Sequence, residues 1–283
     1  MASRTPSDPI IPGATVLVTG AARGMGELYA RRAASEGAAA LALWDVDDAA
    51  VTALARQLER PGLKVVPIVA DVSRLASVRD GLARTVEAVG SPDVLINNAG
   101  IVRGAPFWEH DSERDIEGTM RVNTLAPMWI TREALPAMMA DASRPKRILN
   151  IASAAATIAN PNMSVYAASK WAMLGWSESL RLELGRSGAS HIAVTTFCPS
   201  YVSTGMFAGA RGPLLTPILT PERAVDAAWR GMLAGRPIVS KPWSVKLGMA
   251  LRGVLPTRAW DVLADRIFHI YSSMDNFTGR SGR

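Results

Sequence analysis

The chain has 283 residues, 48% of them hydrophobic and 20% charged, enough to bury a full core, and α/β proteins of this length are often one domain. Its net charge of +6 comes from 31 Lys and Arg scattered among 25 Asp and Glu; no basic block exceeds a pair and none is interleaved with aromatics, which excludes the usual nucleic-acid footprints. A lone cysteine, Cys198, rules out an intramolecular disulfide framework, and three widely spaced histidines (His110, His191, His269) make no zinc signature.

The opening stretch, MASRTPSDPIIPG, has neither an apolar signal core nor an Arg-rich amphipathic pattern, and no apolar run reaches bilayer-spanning length. A soluble, cytoplasmic protein is expected. The first strand candidate, ATVLVTG (14–20), runs into TGAARGMG (19–26) and then a helix over 25–36. Gly20, Gly24 and Gly26, with Arg23 and Met25 between them, would let the backbone turn tightly and set a pyrophosphate against the helix N-terminus. The spacing is GxxxGxG rather than the common GxGxxG, so the loop needs support.

Asp45 supplies it. It closes the second strand candidate, AALALWD (39–45), where a carboxylate can accept from the adenosine ribose hydroxyls and repel a 2′-phosphate, which favours NAD over NADP. Arg23 pulls the other way, because a guanidinium in that loop can receive a 2′-phosphate. Helices over 47–60, 74–90 and 112–140 follow, with Asp47, Ser73 and Ser112 as caps, around strands LKVVPIVAD (63–71) and PDVLINNAG (92–100). PKRILNIAS (145–153), SHIAVTTFCP (190–199) and RPIVS (236–240) add three more strands. The strand candidates are apolar on both faces, the mark of a parallel sheet covered by helices on each side. No internal repeat and no low-complexity linker interrupts the pattern.

The helix over 164–187 carries SVYAASKWAM, in which Tyr166 and Lys170 stand one turn apart on the same face. A nearby ammonium favours a phenolate, so the pair can exchange protons near neutral pH.

Taken together, TGAARGMG, the DV at 71–72, the NNAG at 97–100, Asn123, Ser153 thirteen positions before Tyr166, and YAASK at 166–170 resemble, in order and spacing, the short-chain dehydrogenase/reductase family in its shorter branch. The likeness covers roughly residues 13–240. It implies an α/β, doubly wound, Rossmann-type and mostly parallel sheet of about seven strands with helices on both faces, in a single domain over 1–283. By the same resemblance Tyr166 is the general acid/base, Lys170 lowers its pKa and holds the nicotinamide ribose, Ser153 binds the substrate oxygen, and Asn123 helps hold a proton-relay water. Asp71 and Val72 would contact adenine; Asn98, Ala99 and Gly100 would line the cofactor floor; Pro199, Val202 and Thr204 would contact the carboxamide. Ser200 stands where the family has glycine, which puts the local backbone path in question.

The resemblance makes 203–220, STGMFAGARGPLLTPILT, a lid over the site. Its apolar Met206 and Phe207 are expected to bind an apolar substrate, although the segment could instead pack down as a small core helix. The extension over 241–283, with two helical patterns, could cover the pocket, mediate subunit contact or touch a membrane surface. Apolar residues on the helices over 112–140 and 164–187 (Met128, Trp129, Met138, Met139, Trp171, Met173, Trp176) point to a homodimer or homotetramer, since the family pairs these helices across a two-fold axis. The expected activity is hydride transfer between NAD and a hydrophobic secondary alcohol or ketone, possessing no nucleic-acid partner and no metal. The alternatives are an NADPH-dependent reductase of 3-oxoacyl-type carbonyls and a non-catalytic dinucleotide-binding protein.

Overall fold

A computed structural model describes residues 10–279; the expectation about the N-terminal leader falls largely on residues 1–9, outside that range. Seven short apolar runs become strands: β1 (Thr15–Thr19), β2 (Ala40–Asp45), β3 (Lys64–Val69), β4 (Val94–Asn97), β5 (Lys146–Ile151), β6 (Ile192–Pro199) and β7 (Ile238–Lys241). They form one sheet in the order β3-β2-β1-β4-β5-β6-β7, every neighbouring pair parallel. Alternation along each strand feeds two cores. Val16 and Val18 pack to one side with Tyr29, Val51 and Trp229, and Leu17 to the other with Val78, Ile130 and Leu180.

The helices supply those two layers. One holds α1 (Gly24–Ser35), α2 (Asp48–Leu58) and α7 (Pro221–Leu233); the other holds α3 (Leu75–Val89), α5 (Ala126–Ala140) and α6 (Ser164–Arg186). The stretch before α5 is not a regular helix. It winds through wide π turns at Ser112–Glu117 and Arg121–Leu125, separated by the single turn α4 (Gly118–Met120). α8 (Trp243–Val254) and α9 (Thr257–Val262), continued by a wide turn at Leu263–Ile267, make up the C-terminal extension. Among the described residues no helix is long and apolar enough to cross a membrane.

The structure corrects two local expectations and adds one helix. Asp47 caps α2, accepting from the Ala50 amide at 3.2 Å, but Ser73 does not cap α3: its hydroxyl turns back to the Asp71 carboxylate at 2.6 Å. Likewise the cap before 112–117 is Asp111, accepting from the Arg114 amide at 2.7 Å, not Ser112. Finally, α7 went unread among the sequence-based helices, although TPERAVDAAWRGML carries a threonine cap followed by proline, and Thr220 does accept from Arg223 N–H. The segment 203–220 contains turns rather than the small core helix considered as an alternative.

Sheet order reverses between β1 and β4, and in such open sheets the crevice beyond the carboxyl ends at that point receives ligands. The ends of β1, β2, β4, β5 and β6 all open there.

Candidate active site

The glycine-rich turn is built to bring β1, α1 and β4 into contact. Gly20 and Gly24 adopt φ of +62° and +58°, the left-handed region that favours glycine. A methyl group on Gly20 would lie 2.9 Å from the Ala99 Cα, and one on Gly26 would run into the Gly20 carbonyl. The contact is then fastened by side chains: Asn98 Nδ2 donates to the carbonyls of Thr19 and Gly20 at 3.0 and 3.1 Å, and the Thr19 hydroxyl accepts from the amides of Asn98 and Ala99, each at 3.1 Å. No side chain caps α1, so its first amides, from Gly24 onward, remain free for an anionic group. These residues fit a dinucleotide pyrophosphate.

At the end of β2, Asp45 is 9% exposed and faces this loop; its carboxylate accepts from the Ala22 amide at 2.9 Å and the Asp47 amide at 3.1 Å. Arg23 leans away to an ion pair with Asp47 at 3.2 Å. Asp71 sits exposed at the neighbouring strand end, fixed by the Ser73 amide and hydroxyl, beside buried Val72. Thr204 folds back over the loop, its methyl 3.6 Å from the position of a Gly24 side chain, while Val202 is buried and bridges to Leu219. Met25 packs into the core beneath, and Pro199 ends β6.

Across the crevice, α6 presents Tyr166 and Lys170, both 4% exposed. The Lys170 ammonium donates to the Ile151 carbonyl at 2.8 Å and lies 5.8 Å from the centre of the Tyr166 ring. Burial pushes Lys170 down to about 8. Burial also holds the Tyr166 phenol well above its ordinary value, opposed by a hydrogen bond with the Ser153 hydroxyl. The expected lowering of the phenol by the ammonium is therefore not what the protein by itself displays: burial raises it, and only the Ser153 hydrogen bond opposes that rise. Ser153, just past β5, also accepts from the Ala155 amide at 3.1 Å.

Asn123 sits in the wide turn Arg121–Leu125, where the regular ladder is interrupted. Its amide pairs with both backbone groups of Ile101, accepting from the amide at 2.9 Å and donating to the carbonyl at 2.8 Å, and donates to Ser169 Oγ at 3.1 Å. Ser169 in turn donates to the Tyr166 carbonyl at 2.6 Å. Gly100 completes this corner: a methyl there would come within 3.3 Å of Asn123 Oδ1 and 3.7 Å of the Lys170 ammonium. Thr19 and Ser169 were missed from the sequence, although both lie inside motifs already singled out. A second missed feature is the buried ladder beneath the site. There Asn97 donates to Thr131 and Asn150, and Asn150 to Ser177, at 2.8–3.1 Å; polar residues inside buried strands were its only signal.

Ser153 also lines an apolar cavity, the kind of concave, mostly apolar site with a few polar groups that receives small molecules. Phe207 of the lid forms one wall, edge-on to Tyr166 at 5.8 Å and to Tyr201 at 5.2 Å; Met206 does not line the cavity. The opposite wall comes from the extension, through Val245, Gly248, Trp260 and Ile270, so of its three conceivable roles pocket cover is the one realised within the chain. Lid and extension are sewn together along their backbones. Arg211 N–H donates to Ser273 O at 2.8 Å, Leu214 N–H to Phe268 O at 2.9 Å and Thr278 N–H to Ala208 O at 3.0 Å. Arg252 of α8 also stacks over Trp171 of α6 at 4.6 Å. Of the apolar residues read as a subunit face, Met138 and Met173 belong to the chain's own core, whereas Met139 and Trp171 are exposed.

Residues 14–213 match the family model described as short chain dehydrogenase. The chain is 33% identical over 257 residues to estradiol 17-beta-dehydrogenase 11 of Rattus norvegicus, covering 91% of this chain and 85% of that protein. Among solved structures it resembles a short chain dehydrogenase/reductase from Burkholderia phymatum in complex with NAD (TM-score 0.78, 25% identity, 87% of this chain and 95% of that one). It also resembles a short-chain dehydrogenase from Sphingobium yanoikuyae in complex with NADPH (TM-score 0.71, 29% identity, 89% and 93%).

Proposed function

The chain belongs to the short-chain dehydrogenase/reductase family and is an NAD(P)-dependent dehydrogenase; from that premise we propose that it interconverts a hydrophobic secondary alcohol and its ketone, with NAD as the preferred cofactor. The observation that carries this reading is the Ser153–Tyr166 hydroxyl pair at the edge of an apolar cavity. The likeness to an estradiol dehydrogenase is in keeping with a steroid-sized substrate.

In this reading the Ser153 hydroxyl holds the substrate oxygen and Tyr166 exchanges a proton with it. Burial keeps the phenol protonated, the form that donates to a carbonyl oxygen during reduction. The nicotinamide, when bound, supplies or accepts the hydride. Lys170, held by the Ile151 carbonyl beside Gly100, is positioned to bind ribose hydroxyls, and Asn123, fixed on Ile101, supports the turn from which a proton can leave the site. Asn98 acts by locking the glycine loop, while Gly20, Gly24, Met25 and Gly26 offer it to the pyrophosphate. Asp71 with Val72, and Pro199, Val202 and Thr204, flank the two ends of the dinucleotide. Assembly as a homodimer or homotetramer through α5 and α6 belongs to the same reading, supported by the exposed Leu125, Met139, Trp171 and Leu182.

The NAD preference is supported by Asp45, whose carboxylate faces the glycine loop from the end of β2, and by Arg23, which is engaged by Asp47 instead of being free for a 2′-phosphate. Replacing Asp45 by Ala and the 61%-exposed Val46 by Arg is expected to reverse the preference, measured as the ratio of kcat/KM for NAD and NADP. An unchanged ratio would mean that Asp45 does not meet the ribose. The substrate class is tested by following absorbance as NAD and NADP are reduced across hydrophobic secondary alcohols, steroids and terpenols included. Turnover only of small polar alcohols would sink it.

A further inference from the structure

The cavity beside Ser153 carries six hydroxyl side chains: Ser153, Ser200, Tyr201, Thr216, Ser244 and Ser273. Five are already engaged. Ser153 accepts from Ala155, Tyr201 and Ser273 bond each other at 2.8 Å, and Thr216 and Ser244 at 2.9 Å. Ser200 is different: its hydroxyl bonds to none of the described residues, and the residue is half-buried rather than sealed off. Its backbone is nonetheless fixed, the amide donating to the Lys241 carbonyl at 2.8 Å, and its φ is not in the left-handed region. The doubt raised by a serine at this position is thereby resolved, since the path does not require glycine.

Both this residue and Ser153 lie where neighbouring strands run out into the cavity. Ile151, the last residue of β5, pairs with Phe197 of β6, on strands about 4.8 Å apart; Ser153 follows Ile151 by two residues and Ser200 follows Phe197 by three, and both line the cavity. The Ser153 amide also donates to the Cys198 thiol across the same gap. Two side chains so placed can straddle two oxygens on neighbouring carbons of one substrate.

We propose that Ser200 contacts the substrate and selects hydrophobic alcohols and ketones bearing a second oxygen on the carbon next to the reacting one: vicinal diols, α-hydroxy ketones and α-diketones. The inference rests on the dehydrogenase reading given above. A serine hydroxyl donates and accepts, so it serves a neighbouring hydroxyl or carbonyl alike. A plain ketone that displaces water leaves it unpaired in an apolar wall; the α-oxygenated analogue pairs it, a difference worth about tenfold in affinity.

Benzoin and deoxybenzoin, which differ only in the α-hydroxyl, test this with the full chain and NADH. The wild type is expected to favour benzoin by about tenfold in kcat/KM, and Ser200→Ala to lose about tenfold on benzoin while staying within about twofold on deoxybenzoin. Calorimetric titration of the NADH complex with the same two ketones reads the contact without turnover. A benzoin preference in binding, lost in Ser200→Ala, supports the contact even where neither ketone is reduced, an outcome that counts against the dehydrogenase reading alone. Deoxybenzoin reduced with no benzoin preference supports that reading and overturns the role of Ser200. Equal losses on both ketones, or weakened NADH binding in the variant, would assign the hydroxyl to the cofactor or the fold and overturn the proposal as well.

Discussion

Replacing Tyr166 by phenylalanine is expected to lower turnover by about a hundred- to ten-thousand-fold, the usual contribution of a positioned acid or base. The structure isolates the effect to one oxygen. The ring is buried against Met163, Met274 and Phe207, and phenylalanine keeps that packing and the edge-on contact at 5.8 Å. What disappears is the phenol that bonds Ser153. Folding and cofactor affinity should therefore persist, which thermal unfolding and NADH titration can verify. Because the phenol is buried and held protonated, its loss also relieves a desolvated polar group, and the variant should be no less stable than the wild type by more than about 1 kcal/mol. Turnover within a few-fold of the wild type would remove Tyr166 from the chemistry.

The other large effect is expected at Gly26. A methyl group there would meet the Gly20 carbonyl, which is backbone and cannot swing aside, and would approach Asn98 Nδ2 at 2.7 Å. Relief requires the start of α1 to move off the end of β1, and that breaks the bonds from Asn98 to Thr19 and Gly20. Gly26→Ala should cost on the order of 2–4 kcal/mol of stability, in the tail reserved for substitutions with a named steric cause, and, because the displaced loop is the one offered to the pyrophosphate, raise the Kd for NAD by about thirtyfold or more, a binding loss of about 2 kcal/mol or more. Gly185→Ala is the contrast. That glycine lies in α6 with nothing within 4 Å of a new methyl, so alanine should stabilise by about 0.5–1 kcal/mol. Unfolding curves and NAD titrations on the pair decide it; a Gly26→Ala protein that binds NAD normally would show that the turn is looser than its geometry indicates.

Much of this was legible because the chemistry is local in sequence. Tyr166 and Lys170 are a helical turn apart, Gly20 to Gly26 occupy a single loop, and Asp45 ends a strand whose apolar run is unmistakable. Cap assignments failed where several candidates crowd together. Asp111 and Ser112 are adjacent, and sequence alone does not say which backbone enters the helix; Ser73 was drawn off by Asp71, two residues away. Electrostatics misled for another reason. Spacing brings an ammonium near a phenol, but how far burial raises that phenol depends on the packing of Phe207, Met274 and the core around them, residues up to about a hundred positions away. The same holds for the extension. Its helices are readable as helices, whereas their seat over the cavity is set by long-range contacts such as Arg252 on Trp171.

The seam between lid and extension has a consequence for how substrate gets in. Main-chain bonds between Ala208, Arg211 and Leu214 and residues 268–278 tie the lid to the extension along its length. An opening of the lid breaks these bonds together, so the two segments, more than fifty residues apart in the chain, are expected to behave as one locally unfolding element. In hydrogen exchange the amides of Arg211, Leu214 and Thr278 should therefore lose protection together, at one shared opening free energy, and a bound substrate should slow all three by the same factor.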